Sequence, residues 1–356
     1  MIFPFLDFES SFFTNEELLF LAGASGGGVE HTIINNPATF TTDLAKPLRK
    51  LLVPFTPVQA GSGDPSPDNV RPITGFAGLN IYRTGKNLYD GQFPSLSSNI
   101  YYRHYFVGYA TVTGSSNVPL SAQGYGNIFL LPGKVNSGVS TGGNNITNGV
   151  SRTVNPVDGW VTVAYRNNYD VNPADYNVQI EVGATATAYE PYSGATVPVS
   201  WQTEAGTVYG GELDALTGVL TVNYAYAALT ATGKNANETY FYTTCQPLNI
   251  PVIKGLNAGL VCNRLKNSPN VSESETDPTI SCYANGIIRW HDTEYMDLTV
   301  QEYNAAVAEN PVVIAYEIKE PYTVQLDPVS LSTLVGENVV WTDTNGDNTI
   351  VYLKKT

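Results

Sequence analysis

The chain has 356 residues, enough for two to three domains, each with its own core. Its formal net charge is -14, from 32 acidic and 18 basic residues, with no Lys/Arg cluster, which argues against nucleic acid and anionic membrane surfaces as partners. Charged residues make up only 14%, against about 25% in ordinary soluble domains, and a surface of Tyr, Thr, Asn, Ser and Gly suits pleated sheets and turns: the fold class is mainly β.

The N-terminal stretch "MIFPFLDFESSFF" carries acids where a secretion signal carries Lys or Arg, so the chain is expected to be made and kept in a cytosol. "FTNEELLFLAG" reads as one short helix, with Thr14 as N-cap, Glu17 completing a capping box and Gly23 as the stop. "GASGGG" follows as a flexible linker. An aromatic helix on a glycine leash buries its apolar face against something else. Residues 1–28 are therefore read as a docking arm, with Phe12, Phe13, Leu18, Leu19 and Phe20 as its contact residues; folding back on its own domain is the alternative. "GASGG" also fits the G-x-S-x-G nucleophile elbow, but a helix precedes it and a linker follows, the wrong context for that turn.

Residues 29–84 read as a β segment that could join the C-terminal domain. "HTIINNPATFTT" and "LRKLLVPFTPVQ" are strand-like, with prolines that point to edges or bulges. "AGSGDPSPDNVRPITG" then has the glycines of a phosphate cradle but no following Lys at a helix start, and its prolines stiffen the path, so it reads as a connector. Residues 85–192 carry short strands at about ten-residue spacing, the pattern of a β-sandwich. In "DGWVTVAYRN", Trp160, Thr162 and Ala164 face one side and Val161, Val163 and Tyr165 the other.

Residues 193–356 read as a second β domain with one helix near 299–310: Thr299 is the N-cap, Glu302 its partner, and Val300, Tyr303 and Val307 share a face. "LDPVSLSTLVGEN" suggests a further short helical turn from Pro328 to Gly336, and "VVWTDTNGDNTIVYLKK" two strands around an Asn-Gly hairpin turn. Asp343, Asn345 and Asp347 in that turn imitate the first ligands of a calcium loop, but its twelfth position is Lys354. His31, His104 and His291 are isolated, so no metal or triad spacing exists. Cys245, Cys262 and Cys282 are odd in number and widely spaced, which points to buried free thiols. No cofactor, metal or catalytic residue is expected, and no apolar run approaches the roughly 20 residues of a membrane span.

"PLRKLLVPFTPVQAGSGDPSPDNVRPITGFAGLNIYRTGKNLYD", "VQIEVGATATAYEPY", "VYGGELDALTGVLTV", "YNAAVAENPVVIAYEIKEPYTVQLDP" and "VSLSTLVGENVVWTDTNGDNTIVYL" resemble structural proteins of tailed bacteriophages and prophages of Gram-positive gut bacteria. The resemblance covers most of residues 37–356. It implies a virion component of the tail, baseplate, fibre or head appendage, made in the bacterial cytoplasm, with a carbohydrate-binding-like jelly roll over 85–192. For such a fibre, contact with host-surface glycan and a homo-oligomer are expected, with a trimer favoured because such fibres are commonly trimeric; the N-terminal arm lies outside the resemblance, and attachment to other virion proteins through it is expected from its own aromatic residues and glycine linker. An architectural capsid or collar decoration and a polysaccharide-degrading fibre enzyme are the alternatives. A sugar site uses aromatic faces with nearby polar groups. The glycan-binding candidates are Trp160, Tyr165, Arg166, Tyr169 and Tyr102, with Tyr101 and Tyr105 beside them on the same strands.

Overall fold

The computed structural model describes residues 29–42, 47–91, 100–107, 111–120, 127–137, 144–166, 175–271, 277–331 and 336–354. The docking arm with Phe12, Phe13, Leu18, Leu19 and Phe20 lies outside the described residues, as does Tyr169. The fold is mainly β, as the composition predicts.

The first segment supplies β1 (Val29–Asn35), β2 (Ala38–Thr42), β3 (Leu48–Phe55), the short β4 (Val58–Gln59) and β5 (Ile73–Thr74), and β6 (Gly78–Thr84). The middle supplies β7 (Ile100–Phe106), β8 (Val112–Ser115), β9 (Ile128–Pro132), β10 (Ser151–Val154), β11 (Trp160–Arg166) and β12 (Gln179–Val182). Then come β13 (Gly194–Ser200), β14 (Gly211–Asp214), β15 (Val219–Ala228), β16 (Gly233–Lys234), β17 (Phe241–Thr244) and the one-turn helix α1 (Cys245–Leu248). The last stretch holds β18 (Val261–Cys262), β19 (Lys266–Asn267), β20 (Thr279–Cys282), β21 (Ile287–His291), α2 (Val300–Ala306), β22 (Val313–Gln325), β23 (Gly336–Thr342) and β24 (Asn348–Lys354).

Three cores organise these strands. The first lies between a seven-stranded sheet, in the order β1-β24-β3-β14-β15-β22-β18, and a four-stranded sheet, in the order β13-β6-β23-β2. Phe40, Leu51, Val53, Phe55, Ile81, Trp201, Leu213, Leu220, Val340 and Ile350 fill it from both sides. Residues 29–84 thus pair with strands from 194–354: β1 and β3 flank β24, and β6 sits between β13 and β23. The second core belongs to the five-stranded sheet β16-β17-β21-β20-β19, covered by Tyr303 and Val307 of the α2 segment and by the far ends of β15 and β22. One ladder, β15 with β22, serves both cores. Its register breaks between Val222 and Tyr224, opposite the stretch of β22 that contains Pro321, which has no N–H to offer. The third core is a sandwich of two three-stranded antiparallel sheets, β10-β8-β12 and β7-β11-β9. Val112, Ile128, Leu130, Val161, Val163 and Ile180 meet between them. Among the described residues this sandwich has six strands, where a jelly roll has eight.

Local sequence explains much of this. β2 alternates Ala38, Phe40 and Thr42 inward with exposed residues between, the period of a half-buried strand. The Thr299 capping box forms as expected: the Thr299 hydroxyl accepts from the Glu302 N–H, and the Glu302 carboxylate accepts from the Thr299 N–H at 3.0 Å. All three cysteines are buried and free. The Ala60–Gly75 stretch joins β4 to β5 and closes around one side chain: the Arg71 guanidinium donates to the carbonyls of Ala60, Gly61 and Gly63. Gly61 and Gly63 turn these carbonyls inward with φ of 82° and 77°. Asp64 pairs with Lys266 at 2.8 Å, tying the loop to the second core's sheet.

Four expectations need correction. β3 is an interior strand rather than an edge, while the expected bulge is present as a register shift in its ladder with β24 at Val351/Tyr352; Pro54 is tolerated because pairing with β24 stops at Leu52, so its missing N–H has no β24 partner to meet. β23 and β24 do not form a hairpin. They enter opposite sheets, and Asp343–Asp347 is a corner between layers. α2 ends at Ala306, short of residue 310, and α1 is a second helix in the 193–356 segment. The residues from Asp327 to Leu331 are not helical, and 332–335 lie outside the described residues.

The β23–β24 corner is locked to the matching β1–β2 corner by Asn36. Its amide donates to the carbonyls of Thr342 and Gly346 at 3.4 and 3.3 Å and accepts from the Thr342 N–H at 3.3 Å. Asn36→Ala leaves these buried backbone groups unmatched and is expected to cost about 1–3 kcal/mol in a urea-unfolding experiment. A loss below about half a kcal/mol would show that the corners hold without it.

Candidate functional site

The strand β23 is buried on both faces because it walls two cores: Val340 points into the first, while Val339 and Trp341 pack against the third. Where the third core's sandwich leans away from β23 and β6, a cleft of about 480 Å³ opens, inside the usual size range of small-molecule sites.

One wall comes from β6 and β23. Tyr82 and Trp341 are direct cross-strand partners, and their rings stack at 5.5 Å and 12°. Just past Trp341 the chain turns, and Asp343 is fixed by Asn80: its Oδ1 accepts from the Asn80 N–H at 2.9 Å and its Oδ2 from the Asn80 side chain at 2.8 Å. Burial, then the Asp343 charge, raises the Tyr82 phenol above its ordinary pKa. Thr196 of β13 completes this wall.

The opposite wall comes from β7 and β11, with Asp90 and Tyr192 at its flank. Arg103 donates to Asp90 Oδ2 at 2.5 Å and Tyr105 Oη to Asp90 Oδ1 at 2.9 Å, so both oxygens of Asp90 are engaged by its own wall. Burial and then Asp90 push the Tyr105 phenol well up, which keeps it a donor. His104 is held by Thr162. The Thr162 hydroxyl gives its one proton to Gly133 O at 2.6 Å and accepts from Val135 N–H at 3.0 Å, so the 2.8 Å contact to His104 Nδ1 requires the imidazole to donate. His104 Nε2 lies 3.0 Å from Asn136 Oδ1. Trp160 lines the cleft too, with Lys134 Nζ 3.7 Å from its ring centroid on the side of a neighbouring groove.

Of the sequence candidates, Trp160 and Tyr105 line this cleft. Tyr165 does not: it is 3% exposed and stacks on Tyr101 at 6.1 Å, so it has no face to offer a sugar. Tyr102 packs with Phe129, Leu131 and Ala164 on the outer face of its sheet, and Arg166 lies over the Phe129 ring at 5.5 Å. The predicted alternation of β11 is right in direction, but both faces are covered, since this second cluster shields Thr162 and Ala164. Trp341, Tyr82, Asp343, Asp90, Arg103 and Tyr192 were absent from the glycan-binding candidates, Asp343 having been weighed only as a calcium-loop ligand; the outward aromatic at the end of "NVVWTD" was the available signal.

Among the described residues no group of three or more His, Cys, Asp or Glu is placed to hold a metal ion, and no helix is long and apolar enough to cross a membrane. Asp343 and Asn345 of the calcium-like turn are tied to neighbouring strands instead, Asn345 accepting from the Thr56 N–H at 3.0 Å and donating to its carbonyl at 3.0 Å. No family model, curated protein or solved structure matches the chain.

Proposed function

We propose that this chain is a non-enzymatic structural protein of a tailed-phage particle that holds a saccharide of the host surface in the cleft between its first and third cores. The saccharide part rests on one observation. Five aromatic side chains, Tyr82, Trp341, Tyr105, Trp160 and Tyr192, converge with two carboxylates, a guanidinium and an imidazole on a single open cleft. Aromatic rings receive the C–H faces of a sugar while fixed polar groups read its hydroxyls. The virion part rests on the resemblance of residues 37–356 to phage structural proteins. Residues 1–28 lie outside that resemblance; their aromatic sequence ahead of a glycine linker is the ground for attaching the chain to the particle, and the commonly trimeric state of fibres is the ground for a homotrimer.

The carboxylates favour binding over hydrolysis. A glycosidase keeps one of its two carboxyls protonated as general acid. Here all four oxygens of Asp90 and Asp343 already accept hydrogen bonds from Arg103, Tyr105 and Asn80, so neither carboxyl is placed as a donor to a glycosidic oxygen.

The test is titration of the chain with neutral and charged surface saccharides, followed by tryptophan fluorescence. Binding is expected, and Trp341→Ala is expected to weaken it about thirtyfold, the effect of losing a central aromatic contact worth about 2 kcal/mol. Wild-type affinity in Trp341→Ala, or no binding by any saccharide, would overturn the saccharide reading and leave the architectural one. Release of reducing ends during the titration would favour the enzyme.

A further inference from the structure

Building on the saccharide reading of the cleft, we propose that the ligand carries a protonated amino group and that Asp343 receives it. Four ionisable groups other than tyrosine line the cleft: Asp90, Arg103, His104 and Asp343. Asp90 and Arg103 neutralise each other across 2.5 Å. Asp343 is different. Its two contacts are with neutral N–H groups of Asn80, and no Lys, Arg or His pairs with it among the described residues. Each of its oxygens retains a second acceptor site.

Beside this carboxylate stand the stacked rings of Tyr82 and Trp341. A carboxylate next to aromatic faces is the combination that holds an ammonium group, through charge on one side and the ring quadrupole on the other. Lys134, the nearest other cation to a cleft ring, lies over Trp160 and lines the neighbouring groove, so it does not compensate Asp343. An anionic sugar meets Asp343 within a chain of net charge -14 and is disfavoured. A neutral N-acetylated sugar keeps the stacking and loses the charge. Asp343 is exposed, so the pairing is a surface one, worth about fivefold in affinity.

The test compares three probes: the glucosamine trisaccharide, its fully N-acetylated counterpart and a galacturonic acid trisaccharide. The free-amine probe is expected to bind about fivefold more tightly than the acetylated one at low salt, with the ratio falling towards one at high salt and the uronate weakest. In Asp343→Asn the ratio is expected to collapse to about one. Saccharide binding with equal or reversed preference, or an amine preference that survives in Asp343→Asn, overturns the inference and leaves the saccharide reading standing. No binding by any of the three overturns both.

Discussion

Replacing Arg264 by Met is expected to cost about 3–5 kcal/mol at neutral pH, because it strands a buried carboxylate. Asp292 is fully buried and Arg264 is its cation, at 3.4 Å, with Glu294 completing the cluster at 2.7 Å from the same guanidinium nitrogen. Burial already pushes the Asp292 carboxyl up, against the pull of Arg264. Without the guanidinium, burial acts unopposed. The folded variant then keeps its proton at a pH where the unfolded chain, with an ordinary carboxylate, has lost it. The native state binds more protons than the unfolded one across that window, so stability falls as pH rises through it and is lowest above the folded pKa. The deficit relative to the parent should therefore be largest near pH 7 and shrink on acidification towards about pH 5. Urea unfolding at both pH values reads this directly. A deficit below about 1 kcal/mol, or one that does not change with pH, would mean that Asp292 is not the group left stranded. The double variant Arg264→Met/Asp292→Leu should recover most of the loss, because no charge then remains in the core.

The second large effect is expected from Trp201→Ala, again about 3–5 kcal/mol, now in the first core. Trp201 is 0% exposed, stacks on Phe55 at 5.4 Å and 16°, and donates from its indole nitrogen to the Phe76 carbonyl at 2.9 Å. Truncation opens a cavity the size of an indole and removes one of two donors to that carbonyl, the Val208 N–H at 2.8 Å remaining. Trp201→Phe fills most of the volume and should lose clearly less. With three cores, the unfolding curve need not be a single transition, so the shift should be read in the one that reports the first core. Equal losses for the Ala and Phe variants would place the stability in the hydrogen bond rather than the packing.

The sequence made the strand class, the α2 capping box and the burial of the cysteines readable because each depends on neighbouring residues. Thr299 and Glu302 are three positions apart, and their mutual hydrogen bonds need nothing else. What stayed hidden depends on which strands meet. "VVWTDTNGDNTIVY" carries the same local signals whether its two strands pair with each other or enter opposite layers. The difference lies in distant partners: β23 pairs with β2 and β6, β24 with β1 and β3, and Asn36 bonds to Thr342 across 306 residues. The cleft was hidden for the same reason. Trp160 stood out within its own strand, but Tyr82 and Trp341 become one aromatic surface only when β6 and β23 align, and Asn80 reaches Asp343 across 263 residues. Tyr165 misled because alternation predicts two faces without saying whether both will be covered, and here they are.

The placement of β23 and β24 also sets an order of assembly. β24 separates β1 from β3, and β23 separates β6 from β2, so the earliest strands have no partners among themselves in those sheets. As the polypeptide leaves the ribosome, the strands of residues 100–182 can close their sandwich on their own contiguous stretch, while β1, β2 and β3 wait with open edges for strands made some three hundred residues later. During that interval Phe40, Leu51 and Val53 lack the strands that cover them in the finished first core.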